Sequence, residues 1–218
     1  MPHAKPLIIA ISGPSGTGKS TFATALAQAL SEQSPARVAL IHEDAYYRDQ
    51  SHLTMAQRQQ TDYDHPAALE HSLLLTHLHA LGQGNAVAVP VYDYTQHTRS
   101  ERTLQQQPAE VLILEGILLF SNQELMQLAN LRLFINTPLT HCKQRRIDRD
   151  TQERGRTRDA VEAQFEQCVV PMYRQYLDIW QQQADLVIDG EAPTAVAVAL
   201  ALAKLRSQVP VSTGILPD

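Results

Sequence analysis

Residues 7–30 read LIIAISGPSGTGKSTFATALAQAL, and the fold is decided inside this stretch. Leu7–Ile11 is a short apolar run without alternation, the pattern of a strand buried on both faces of a parallel sheet. Gly13–Ser20, GPSGTGKS, satisfies GxxxxGK[ST], and the TFATALAQAL that follows has helical composition. Glycines let such a loop turn its N–H groups inward around phosphates, Lys19 offers a point charge to the β and γ oxygens, and Ser20 offers a hydroxyl to Mg²⁺. The helix adds its positive N-terminal end. The candidate nucleotide-binding residues are therefore Gly13, Pro14, Ser15, Gly16, Thr17, Gly18, Lys19, Ser20 and Thr21. A glycine-rich turn without function is the alternative, and strand on one side with helix on the other argues against it.

Four further apolar runs, Val38–Ile41, Val111–Leu114, Leu131–Ile135 and Leu186–Ile188, each end at a polar or glycine break. Between the runs lie helical patterns at Lys19–Leu30, Pro66–Leu81, Asn122–Leu128, Pro138–Arg154, Asp159–Gln183 and Thr194–Arg206. This alternation predicts an α/β fold, a doubly wound parallel sheet with helices on both faces. At Thr137-Pro138 a hydroxyl is placed to cap a helix whose first residue is proline. The stretch 86–104 breaks the alternation, with Pro90 inside a β-like run, and reads as an edge hairpin forming one wall of a substrate site. One domain over residues 1–208 is expected, with an arginine-rich segment near 145–160. The last residues, 209–218, carry two prolines and no period and read as a mobile tail.

The chain has 218 residues, enough to bury a core without disulfide or metal. A formal charge of −5 argues against a general nucleic-acid binder. Cys142 and Cys168 form no close pair, which fits a reducing compartment. The apolar run near the N-terminus is too short for a signal segment or a membrane span, so a soluble cytoplasmic protein is expected.

Other residues carry chemistry. Glu115 closes the apolar run of VLILEG, where a carboxylate can hold the Mg²⁺ shell; a plain turn cap is the alternative. Asp44 follows the second run, at strand ends that open towards ligand, and can accept the proton of an attacking hydroxyl; it can also be a turn aspartate. Six arginines stand between residues 145 and 158. Such a charge run is ordinarily a solvated face, but beside a phosphate-binding loop it suits a closing lid, with Arg146 and Arg149 on one helical face and Gly155 as its hinge. Tyr63, Asp64, Tyr92, Tyr94 and His97 would suit a flat heterocycle joined to a diol, with Asp64 accepting from two hydroxyls. Taken singly, each is as readily structural, Asp64 for instance as an N-cap before Pro66.

GPSGTGKST, HEDAYYRDQSHLTM, YDHPAALEHSLLLTHL, VPVYDYTQHTR, LILEGILL and RRIDRDTQERGR stand here in the order and spacing of the uridine-cytidine kinases, and the chain resembles the bacterial members of that family from about Leu7 to Ile188. The resemblance implies a P-loop kinase that moves the γ-phosphate of ATP or GTP, with Mg²⁺, to the 5′-hydroxyl of uridine or cytidine in pyrimidine salvage. It implies Asp44 as general base, Ser20 and Glu115 at Mg²⁺, and Lys19 at the phosphates. Asp64 would hold the ribose hydroxyls with Arg156 and Gln164 near the sugar, while Tyr92 and His97 would face the base and Tyr63 and Tyr94 line its pocket. Arg146, Arg149 and Arg154 would form the lid. It also implies a homotetramer inhibited by UTP or CTP. Two positions depart from the family pattern. Asp62 stands where the family usually has Asn, and Ile188–Pro193 lacks the usual PRG-type segment, so no donor-base contact carries over. A related P-loop small-molecule kinase and a nucleotide-binding regulatory module without turnover remain the alternatives.

Overall fold

The computed structural model describes residues 5–208. The tail expectation for residues 209–218 lies outside the described residues. In chain order the elements are β1 (Leu7–Ser12), α1 (Lys19–Gln33), β2 (Val38–His42), α2 (Met55–Gln59), α3 (His71–Gly82), β3 (Val87–Asp93), β4 (Thr98–Gln106) and β5 (Val111–Gly116). There follow α4 (Gln123–Leu128), β6 (Leu131–Asn136), α5 (Leu139–Glu153), α6 (Arg158–Gln164), α7 (Val170–Gln183), β7 (Leu186–Asp189) and α8 (Thr194–Gln208). Five parallel strands form one sheet in the order β2-β5-β1-β6-β7.

Strand alternation sorts the core into two layers. Ile8, Ala10, Leu112, Leu114 and Phe134 pack with Leu74 and Leu78 of α3 and with Tyr173 and Trp180 of α7. Leu7, Ile9, Ile11, Val111, Ile113, Leu131 and Leu133 pack on the other face with Phe22, Leu26 and Leu30 of α1 and Ala201, Leu202 and Leu205 of α8. The uninterrupted apolar runs are therefore strands covered on both sides, as their sequence predicts. Segment 86–104 contains β3 and the start of β4, paired antiparallel as a separate two-stranded sheet with an irregular register between Pro90 and Tyr92. Pro90 has no N–H for the ladder, which accounts for the interruption.

Three helix expectations need correction. The pattern Pro66–Leu81 is a short 3₁₀ turn, Pro66–Ala68, followed by α3, with Leu69 extended between them. Tertiary pairing wins over local propensity there: Glu70 N–H donates to the Tyr46 carbonyl and Arg48 N–H to that of Ala68. At the start of α5, Pro138 is itself the N-cap, and Thr137 does not cap; its buried hydroxyl donates to the Thr17 carbonyl at 3.3 Å. The long pattern Asp159–Gln183 is interrupted by a π-helical turn, Phe165–Val169. Pro171, just beyond, lacks the N–H that an α-helix would give to the Gln167 carbonyl.

Candidate active site

The loop Gly13–Gly18 leaves the central strand β1 and runs into α1, so the helix N-terminus faces the carboxyl ends of the sheet. Gly16 has φ +89°, and a Cβ there would overlap the Cys142 carbonyl of α5, so only glycine fits the turn. Lys19 is buried and donates to the Pro14 carbonyl at 3.0 Å. Burial pulls its pKa below the ordinary lysine value, against the opposing pull of Glu115 and Asp44. Ser20 Oγ, in the first turn of α1, donates to Glu115 Oε1 near the end of β5 at 3.1 Å. The same Glu115 oxygen lies 2.7 Å from His42 Nδ1. Burial works to raise the Glu115 carboxyl, but the His42 hydrogen bond, Lys19 and Ser20 together hold it below its usual range.

A hydroxyl and an ionised carboxylate side by side are hard oxygen donors of the kind Mg²⁺ uses when phosphates and waters complete its shell. Among the described residues, no three His, Cys, Asp or Glu side chains gather into an all-protein metal cage. The adjacent oxygens of Ser20 and Glu115 fit the protein share of a metal shell shared with a nucleotide.

In front of the loop opens a cleft of about 950 Å³. It brings together Ser15, Lys19, Ser20, Asp44 and Glu115 with Tyr63, Asp64, Tyr92, Tyr94 and His97, and with Arg146, Arg149, Arg154, Arg156 and Gln164. Gly13, Pro14, Gly16, Thr17 and Gly18 lie in the loop behind it, and Thr21 is exposed on α1 outside the lining.

Asp44 sits in a 3₁₀ turn, Glu43–Tyr46, directly after β2. Tyr94 from the β3–β4 turn donates its hydroxyl to Asp44 Oδ2 at 2.8 Å. Burial and then Asp44 push the Tyr94 phenol well above its ordinary value, so it stays protonated and remains a donor. Next to Asp44, the buried Glu43 accepts from the Leu118 N–H and contacts His71 Nε2, each at 2.8 Å, anchoring the turn to the segment after β5 and to α3.

The aromatic wall is a linked set. Tyr63 stacks on His97 with centroids 5.7 Å apart, and Tyr92 meets Tyr94 edge-on at 5.3 Å. Burial, reinforced by Arg156 and Arg154, holds the His97 imidazole below its ordinary pKa. Among the described residues the Tyr92 hydroxyl is buried and makes no close hydrogen bond, and burial followed by Tyr63 pushes its phenol well above the ordinary value.

Asp64 is not the N-cap before Pro66; His65 Nδ1 takes that role by accepting from the Ala67 N–H. Arg146 Nη1 and Nη2 approach the Asp64 carboxylate at 3.2, 3.4 and 3.3 Å, and Nη2 also reaches Gln164 Oε1 at 3.1 Å. Arg149 donates from Nε to Asp150 Oδ1 at 2.9 Å and reaches Ser15 Oγ at 3.5 Å. Arg154 lies over the Tyr94 ring, 3.8 Å from its centroid, and Arg156 Nη1 donates to Gln164 Oε1 at 2.7 Å. Gly155, at φ +65°, ends α5.

Sequence reading missed several contributors. Tyr47, buried between Tyr63 and Tyr92, gives its hydroxyl to the Tyr63 carbonyl at 3.0 Å. Cys168 lines the cleft, its thiol pushed up to about 11 by burial and then by Asp62 and Asp64. Asp150 was legible from its spacing, four residues after Arg146 and four before Arg154.

A phosphate-binding loop motif and a carboxylate, Asp44, that open onto one cleft at the same strand ends match the P-loop kinases. The Phosphoribulokinase / Uridine kinase family model matches residues 8–197, and the chain belongs to that family. It is 44% identical over 201 residues to the uridine kinase of Erwinia tasmaniensis, covering 92% of this chain and 94% of that one. It is 44% identical over 200 residues to the uridine kinase of Escherichia fergusonii, covering 91% and 94%. A solved structure described as a possible uridine kinase from Bacillus stearothermophilus shares the fold, with a TM-score of 0.59 at 21% identity over 86% of this chain and 90% of that one.

Proposed function

We propose that the protein is a uridine kinase that transfers the γ-phosphate of ATP or GTP to the 5′-hydroxyl of uridine or cytidine. The observation that carries this reading is the convergence of Lys19, Asp44 and Asp64 on one cleft, which supplies a phosphate cradle, a base and a diol acceptor together. Identity of 44% over nearly the whole chain to uridine kinases supports the acceptor.

In this reading the acceptor hydroxyl attacks the γ-phosphorus and gives its proton to Asp44, while the bond from that phosphorus to the β,γ-bridging oxygen breaks and ADP or GDP leaves. Tyr94 fixes Oδ2 of that carboxylate and leaves Oδ1 to take the proton. Asp64 orients the sugar through its hydroxyls, and Tyr92, His97 and Tyr63 hold the base by contact and stacking. Lys19, Arg149 and Arg154 face the charge that spreads over the transferred group. Ser20 and Glu115 would hold Mg²⁺, which would supply charge neutralisation to the nucleotide's phosphates. The reading carries with it a homotetramer acting in the cytoplasm on small-molecule substrates. Among the described residues, no helix is long and apolar enough to cross a membrane.

The test is Asp44→Asn. Uridine-dependent turnover should fall by about 10²–10⁴-fold while Mg·ATP still binds. Loss of nucleotide binding in that variant would move Asp44 from proton transfer to the metal or the fold.

A further inference from the structure

Asp150 is wholly buried, and no step described above uses it. Its carboxylate nevertheless has four guanidiniums around it: Arg149 Nη2 at 2.7 Å, Arg156 Nη1 at 3.2 Å, Arg154 Nη1 at 3.5 Å and Arg146 Nε at 3.8 Å. Its main-chain carbonyl also accepts the N–H groups of Arg154 at 3.2 Å and Arg156 at 3.1 Å. One residue thus closes α5 and gathers the arginines on either side of the closure.

Each of these guanidiniums also touches the site. Arg149 reaches Ser15 of the phosphate loop, and Arg154 covers Tyr94, which holds Asp44. Arg146 clasps Asp64, and Arg156 holds Gln164. An anion that only neutralised charge would need no such distribution.

We infer that Asp150 is a positioning residue of phosphoryl transfer, the buried anion that holds four arginines in place before substrate arrives. The inference rests on the kinase reading above. It changes the picture of the arginine segment from a lid that must close to a cationic wall already assembled. Charged groups aimed in advance at a developing charge cost no reorganisation when the reaction occurs. Without Asp150 only Arg146 would keep a carboxylate partner, Asp64, and the other guanidiniums would repel one another and sample other rotamers, so the anchor is needed although it subtracts one positive charge from the site. Orientation is gained and net charge is lost.

That exchange has a kinetic signature. Asp150→Asn leaves the wall more positive, so Mg·ATP should bind at least as well, while the arginines lose their aim and chemistry slows. A displacement on the order of 1 Å in such groups costs roughly 100-fold. The experiment measures uridine-dependent ADP release against Mg·ATP concentration for wild type, D150N, D150E, R149A and D150N/R149A, with a melting curve for each. The expected result is a kcat about 100-fold lower in D150N with KM for Mg·ATP raised by no more than about threefold. The double variant should lose far less than the product of the single losses, because Asp150 acts in part through Arg149. D150E keeps the charge but moves it by one methylene; it should melt near wild type yet lose at least about tenfold in kcat, and it decides the matter if D150N does not fold. A kcat within about threefold of wild type in a folded D150N or D150E, or fully multiplicative losses, would overturn the assignment. Absence of uridine-dependent turnover in wild type would remove the kinase reading and this inference together, whereas active wild type with undiminished variants would remove the inference alone.

Discussion

Asp64 is buried against Arg146 and lines the cleft, so Asp64→Asn tests the packing and the proposed acceptor site together. The Asp64 and Arg146 side chains are 4% and 7% exposed, and three N···O distances between 3.2 and 3.4 Å join them. Removing one partner of a buried pair costs about 3–5 kcal/mol, because the other charge is stranded. Asparagine keeps one acceptor oxygen and Arg146 keeps Asp150 at 3.8 Å, so the low end, about 3 kcal/mol, applies here. For a chain of this size that lowers the melting temperature by roughly 6–12 °C. The same change weakens the acceptor offered to the sugar diol, so KM for uridine should rise by at least about tenfold. The preference for uridine over 2′-deoxyuridine, read as kcat/KM with each, should narrow towards one. Calorimetry and a two-substrate rate assay read the two effects separately. A melting temperature within about 2 °C of wild type would refute the energetic argument. An unchanged ribose preference in the destabilised variant would leave Asp64 a structural partner of Arg146 and no more.

Three other outcomes follow from the geometry. Arg149→Ala should lower kcat by about 10³-fold, and a loss below about threefold would take Arg149 out of the transition state. Glu115→Gln should raise the Mg²⁺ concentration needed for half-maximal rate by at least about tenfold, measured by metal titration at fixed ATP; an unchanged requirement would deny Glu115 its metal. Because His97 is held below the ordinary imidazole value of about 6.5, it is neutral at pH 7, and protonation in acid adds a cation near Arg154 and Arg156. KM for uridine should therefore stay flat from pH 8 to about 6.5 and rise only in more acid solution, with that limb missing in His97→Asn. A limb centred above about 6.5, or one that survives the substitution, would contradict the assignment.

The sheet was legible because its strands are buried on both faces, which writes apolar runs such as Val111–Leu114 into the chain without interruption. The phosphate loop was legible because its chemistry is contiguous. Less could be read where partners are far apart: Asp64 and Arg146 stand 82 residues from each other, and neither one's surroundings name the other. Tertiary pairing explains the misread start of α3, since Leu69 and Glu70 are drawn out by Tyr46 and Tyr47. Thr137 had the composition of a cap and became a tie to the phosphate loop, a use that depends on Thr17 lying alongside. Asp150 differs from these, because its spacing from Arg146 and Arg154 is local and a closer reading of α5 would have found it.

The central claim is that this cleft joins a nucleotide triphosphate to a pyrimidine ribonucleoside, and ADP or GDP release in the presence of Mg²⁺ tests it most directly. With uridine, cytidine, deoxyuridine, pantothenate and ribulose 5-phosphate offered in turn, release should require uridine or cytidine and yield the corresponding 5′-monophosphate. Release with only another acceptor, or silence with every acceptor while ATP still binds, would contradict the account.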